Sequence, residues 1–177
     1  NPGGAHWAIV LEILLALSCL GTAVVLFPVL RRFDAAMSLG FVGSRALEAS
    51  TVLVGVIALL ALIDVDPGTD AAALLVAVHD AAFLVGPGLL PAVNALLFAT
   101  LLHRARLVPR IIPIIGVIGA PLLLASAGLS VFGVLDQVSG IAGIAALPIA
   151  VWEFTIGVWM IAKGLDTESR AARRPHP

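Results

Sequence analysis

Five apolar stretches, each long enough to cross a lipid bilayer, make up most of this 177-residue chain, and four of them contain ionisable residues. A helix needs about 20 mainly apolar residues to span the hydrocarbon core. A charged side chain at the centre of such a helix costs about 2.5–3.5 kcal/mol on insertion scales, so it rarely faces lipid. We therefore expect these side chains to face one another, a water-filled cavity or a partner protein.

The predicted fold is an all-α, integral membrane bundle of five transmembrane helices. We expect the spans at about 7–30, 35–63, 71–102, 110–134 and 138–163. The connections between them are short, which favours antiparallel neighbours in one bundle, a single domain at 1–165. Residues 166–177 are expected to form a cytoplasmic tail. Only 12% of the residues are charged, about half the share found in soluble domains.

The third stretch is too long for one straight crossing and contains Pro87 and Pro91. Proline inside a helix removes a backbone hydrogen bond, so the helix should kink or break there, and this pair is a candidate hinge. The break should free the backbone carbonyls of Phe83 and Pro87, which would then need water, a side chain or a cation as a partner. Asn94 follows on the same helix.

The basic residues predict the orientation of the bundle. Nine of the ten fall on one side of the five-span arrangement: Arg31, Arg32, Arg104, Arg106, Arg110, Lys163, Arg170, Arg173 and Arg174. The opposite loops carry Asp64, Asp66, Asp70 and Asp136 and no Lys or Arg. Since basic residues accumulate on the cytoplasmic side, the N-terminus should lie outside and the C-terminus in the cytoplasm.

Polar residues at membrane depth are the candidate site. The ligand- or proton-binding candidates are Arg45, Glu48, His79, Asp80, Asn94 and Glu153. At about 1.5 Å of rise per helical residue, the five ionisable ones are expected near the middle of the bilayer. Arg45 and Glu48 are three residues apart and can pair on one helix face. We expect one cluster at one depth, whereas Glu12 lies closer to the outer surface and is expected to be solvated or interfacial.

Two interpretations of this cluster remain open. Arg45 and the acids could fix helix packing, or they could form a binding or proton-transfer pocket. Three acids around one Arg and one His slightly favour the pocket. We predict no metal or other cofactor, because metal-ligand spacings are absent and Arg45 would compete with a cation. Cys19 is expected to act as a small buried hydrophobe.

Other function classes have less support. A net charge of −1 argues against a nucleic-acid partner. No nucleophile motif is present, so we predict no catalytic residue. An intramembrane enzyme using His79 and Asp80 as an acid–base pair is the weakest hypothesis.

Several polar motifs resemble a bacterial membrane family known only as domain of unknown function number 4386. They are FPVLRR at 27–32, LGFVGSRALEA at 39–49, HDAAFLVGPG at 79–88, RLVPR at 106–110, and WEF with GVW at 152–159. The resemblance implies a multi-pass protein of the bacterial plasma membrane and one further helix upstream of Asn1. It implies no activity.

The sequence therefore leaves two main hypotheses for function. In the first, the lipid-embedded bundle binds or transports a small cation, a proton or a polar solute. In the alternative, the chain is a non-catalytic subunit or assembly factor of a larger membrane complex, or forms a homo-oligomer, and the polar cluster fixes helix packing.

Overall fold

Six α-helices and their connections account for residues 2–166, which are the residues that the computed structural model describes. The helices are α1 (Pro2–Leu30), α2 (Ala35–Ile63), α3 (Asp70–Val85), α4 (Leu90–Ala105), α5 (Ile111–Val131) and α6 (Gly140–Ala162). Nearly all of the predicted tail lies outside the described residues, so the structure does not bear on it.

Five helical stretches are long and apolar enough to cross a membrane, as predicted. They are Gly4–Leu30, Ala35–Ile63, Asp70–Ala105, Ile111–Val131 and Gly140–Ala162, and α3 and α4 together form the third. The fourth span, α5, is shorter than the predicted 110–134, because a turn follows Val131 and contains Gly133 at a φ of 69°. Five such helices indicate a multi-pass membrane protein.

Short polar side chains set the starts of three helices. Asp34 accepts a hydrogen bond from the Met37 amide at 3.0 Å at the start of α2. Thr69 and Ser139 cap α3 and α6 in the same way. These residues satisfy amides that have no partner inside a helix, so the three starts are fixed by local sequence.

The predicted break in the third stretch is confirmed and falls between α3 and α4. Pro91 stands in the first turn of α4, where the missing amide hydrogen costs nothing. The expectation of a free carbonyl at Phe83 was wrong, because the Gly88 amide donates to it at 2.9 Å. A Cβ on Gly86 would lie 2.6 Å from Thr51 Oγ1, so only glycine lets the end of α3 approach α2 this closely.

The packed core centres on α4, which contacts α2, α5 and α6. Small residues on α4 let its neighbours approach closely, and Ala92, Ala95 and Ala99 are fully buried. Phe98 stacks on Phe41 of α2 at 4.9 Å between ring centroids and meets Trp152 of α6 edge to face at 5.7 Å. The core therefore joins α2, α4 and α6 at the level of the polar residues described below.

The outer surface of the bundle carries many large apolar side chains. Exposed examples occur on five helices: Leu11, Ile57, Leu74, Ile118 and Ile161. In water such a surface would aggregate, whereas in a bilayer it would face lipid. This surface agrees with the membrane assignment.

Candidate functional site

Glu48 of α2 is the centre of the candidate site. This residue is 3% exposed. Among the residues whose side-chain burial the structure describes, it is the one charged residue that is buried. Its Oε2 accepts a hydrogen bond from Arg45 Nη1 at 2.8 Å and another from Asn94 Nδ2 at 2.6 Å. The first bond follows from the three-residue spacing on α2, which puts both side chains on one helix face.

Asn94 joins this pair to α4. The residue is 2% exposed, and its amide is used at both ends. Nδ2 donates to the Glu48 carboxylate, while Oδ1 accepts from the Ser44 hydroxyl. Because an ionised carboxylate can only accept, the amide orientation is fixed by its partner. Ser44 also lies 3.0 Å from the Phe41 carbonyl, so the network is anchored to the α2 backbone.

Arg45 is the point at which α1, α2 and α6 meet. Besides Glu48, its Nη1 lies 3.8 Å from Glu153 Oε1 and 3.7 Å from Cys19 Sγ. The Nε atom is buried without a hydrogen-bond partner. Side-chain exposure is 17% for Arg45 and 39% for Glu153. One guanidinium nitrogen is therefore shared between two carboxylates, a close and buried one and a more distant and exposed one.

His79 and Asp80 do not join this group, so the prediction of a single cluster was wrong. His79 Nε2 lies 3.0 Å from Glu12 Oε1, and Nδ1 lies 3.6 Å from Asp80 Oδ1. The Asp80 side chain is 70% exposed. Glu12 was expected to be solvated or interfacial, and instead it is only partly exposed and is the partner of His79. A Cβ on Gly55 would lie 3.3 Å from the His79 ring. His79 therefore packs against α2 at Gly55, seven residues beyond Glu48.

The separation has a geometric cause. The 29 residues of α2 extend about 43 Å at the standard helical rise, longer than the bilayer core. Arg45 lies about 15 Å from one end of α2, and His79 about 13 Å from the opposite end of the bundle, by the same rise. Because these two depths are counted from opposite ends and their sum is smaller than the length of α2, the two residues lie at different levels. Glu48 and Gly55 are two turns, or about 10 Å, apart.

A small apolar layer lies between the two polar groups. Ala16, Cys19, Ala49 and Val52 form a buried cluster of their own. Along α1 and α2 these residues fall between Glu12 and the Arg45 group. We call the Arg45, Glu48, Asn94, Ser44 and Glu153 set the inner group, and Glu12, His79 and Asp80 the second group. Each is polar, and the layer separates them.

The side chains present suit proton chemistry better than metal binding. Among residues 2–166, no three His, Cys, Asp or Glu side chains are placed to hold a metal ion together. Carboxylates and a histidine can each bind and release a proton, and a guanidinium in proteins keeps its charge. The arrangement can therefore hold a proton beside a fixed positive charge.

Comparisons with known proteins identify the family and leave the function open. The searches of curated proteins and of solved structures each found no match. A family model described as Domain of unknown function (DUF4386) matches residues 1–164, nearly the whole chain. The chain therefore belongs to the DUF4386 family of proteins.

Proposed function

We propose that this protein binds and releases a proton at Glu153, next to Arg45, and that it thereby conducts protons across a bacterial plasma membrane. The observation that carries the proposal is the sharing of Arg45 Nη1 between Glu48 at 2.8 Å and Glu153 at 3.8 Å. Glu48 is buried and doubly hydrogen-bonded, so it is the close counter-ion of Arg45. Glu153 is longer-bonded and partly open, so it is the carboxylate that can change protonation state.

A proton fits this site better than a metal cation or an organic cation. Arg45 keeps its positive charge at all working pH values. A second cation about 4 Å from the guanidinium would be repelled by about 4 kcal/mol at an effective dielectric constant of 20. A proton meets a similar repulsion, but it forms a covalent O–H bond with the Glu153 carboxylate and needs only one hydrogen-bond partner, whereas a metal ion needs several ligands.

The second group offers a proton entry on the side opposite the basic loops. The Asp80 side chain is 70% exposed, His79 lies 3.6 Å from it, and Glu12 follows at 3.0 Å from the histidine. The apolar layer of Ala16, Cys19, Ala49 and Val52 lies between this group and the inner group and offers no side chain that could carry a proton between the carboxylates. Passage therefore requires movement, and the break at residues 86–89 is the segment where α3 could shift against α2.

Reconstituted vesicles test the proposal. The protein is inserted into vesicles that contain a pH-sensitive dye, and a pH step is applied while a potassium ionophore and fixed potassium concentrations clamp the voltage. The wild type should change the internal pH faster than empty vesicles, and Glu153→Gln should abolish the difference. Asp66→Asn is the matched control, since it removes an exposed loop carboxylate. Equal rates for wild type and Glu153→Gln would refute the proposal.

A role as a subunit of a larger complex is the second candidate, and one observation favours it. The Glu153 side chain is 39% exposed although it belongs to a candidate membrane span. It is followed by the exposed Phe154, and α6 packs mainly against α5. A polar or basic residue of a partner helix could complete the environment of Glu153.

Native mass spectrometry in a mild detergent separates the two candidates. A subunit should be recovered with a stoichiometric partner or as a defined homo-oligomer when purified from its own membrane. Glu153→Gln should then reduce that assembly. A monomer that conducts protons in vesicles would exclude the subunit role as the explanation of Glu153.

A further inference from the structure

A cavity lies at the basic end of the bundle. It has a volume of about 650 Å³, and its lining from the α4–α5 connection and the end of α6 includes Arg106, Leu107, Val108, Trp159, Lys163 and Asp166. The Asp166 amide donates to the Leu107 carbonyl at 2.9 Å, which ties the two walls together. Its size is within the range of about 300–1,000 Å³ that is common for small-ligand sites.

The charges of this cavity favour a singly charged anion. Arg106 and Lys163 contribute two positive charges and Asp166 one negative charge, so the lining carries one excess positive charge. A phosphodiester group carries one negative charge and would balance it. Leu107, Val108 and Trp159 add an apolar wall, which free phosphate would not need.

The backbone of Arg106 is an independent sign that its side chain is used. Arg106 has a φ of 53°, and it is the one non-glycine residue with positive φ among those that the structure describes. It follows the last turn of α4, a position that glycine usually occupies because it has no Cβ to clash. Left-handed non-glycine residues cluster at functional sites, where the surroundings offset the strain.

We propose that this cavity binds the headgroup of an anionic phospholipid, with Arg106 and Lys163 holding the phosphodiester. The cavity lies where candidate spans end, at the level expected for headgroups. Basic pockets between transmembrane helices are known to bind anionic headgroups. A soluble phosphate ester shares the recognised chemistry, and the experiment below distinguishes the two sources.

The test measures lipid retention by native mass spectrometry in a detergent with an uncharged headgroup. The full chain should retain phosphatidylglycerol in preference to phosphatidylcholine. Arg106→Gln and Lys163→Gln should each weaken retention roughly fivefold, as expected for one basic residue near an anionic headgroup. Arg31→Gln is the control, because Arg31 is exposed and does not line the cavity.

A second variant separates binding from folding. Arg106→Gly suits the left-handed backbone and removes the charge, so it should raise the melting temperature while lowering lipid retention. Equal retention in wild type and the cavity variants would overturn the proposal, as would an equal loss in Arg31→Gln. Displacement of the lipid by an equal concentration of glycerol phosphate would also overturn it, because the site would then recognise a soluble ester.

Discussion

Replacing Glu48 and Glu153 by glutamine, singly and together, tests whether the two carboxylates share Arg45. Glu48→Gln keeps the shape of the side chain and its ability to accept from Asn94, but removes the negative charge 2.8 Å from the guanidinium. Glu153 Oε1 then has to move only about 1 Å closer to Nη1 to become the close counter-ion of Arg45. Arg45 therefore keeps a counter-ion in either single variant.

The expected magnitudes follow from exposure and distance. Glu153→Gln should cost less than about 1 kcal/mol of unfolding free energy, since its contact is long and partly exposed. Glu48→Gln should cost about 1–2 kcal/mol, because the hydrogen bond to a charged group is exchanged for a longer one. The double variant leaves Arg45 without a carboxylate, and losing the partner of a buried charge costs about 3–5 kcal/mol.

The cost of the double variant should therefore exceed the sum of the single costs by about 1 kcal/mol or more, which is within the range seen for residues in direct contact. Reversible unfolding in mixed micelles, followed by circular dichroism, gives the three free energies. Glu48→Gln combined with Asp66→Asn is the control and should be additive. Additive costs for Glu48 and Glu153 would refute the idea that one cation serves both.

Two further predictions concern packing around the site. Gly116→Ala should lower stability by about 1–3 kcal/mol, because the new Cβ would lie 2.6 Å from Trp152 Nε1. The control is Gly128→Ala on the same helix, where a Cβ meets nothing within 4 Å, and it should be neutral or slightly stabilising. Thermal unfolding in detergent measures both. Ser44→Ala should lower the free energy of unfolding by about 0.6 kcal/mol, and at most about 1.7, as for hydrogen bonds between helices in membranes. The oligomeric state in size-exclusion chromatography should stay that of the wild type. A larger loss of stability would mean that Asn94 depends on the hydroxyl for its orientation.

The membrane fold was predictable because its signals are local. Long apolar runs give the five spans, and the prolines at 87 and 91 with their flanking glycines give the break between α3 and α4. The capping side chains of Asp34, Thr69 and Ser139 mark helix starts that a sequence displays directly. Helix ends were less predictable, since the apolar run continues past Val131 into a turn.

The inner group was predictable in part. The spacing of Arg45 and Glu48 on one helix fixes their contact, the depth of Glu153 brought it into the candidate set, and the position of Asn94 after the helix break brought that residue in. Which helix faces which neighbour is a property of packing, and the sequence alone does not determine it. For this reason the contact of Cys19 with Arg45 was missed.

The grouping of His79 failed for a related reason. The depth of Arg45 is counted from the basic end of its span and the depth of His79 from the opposite end. Because α2 is longer than the bilayer core, similar depths from the two ends are different levels. The signal that could have found the partner of His79 is the seven-residue spacing of Glu12 and Cys19 on α1. The same spacing separates Glu48 and Gly55 on α2. On each helix, therefore, one face contacts the second group at one level and the inner group two turns away.

The most direct test of the central claim, a protonatable Glu153 beside Arg45, is infrared difference spectroscopy of the protein in lipid during a pH titration. A protonated carboxyl group gives a C=O stretching band that a carboxylate lacks. We predict a band that grows on acidification and disappears in Glu153→Gln. In Glu48→Gln the band should need stronger acidification, because Glu153 is then the close counter-ion of Arg45. A band that is unchanged in Glu153→Gln would contradict the claim.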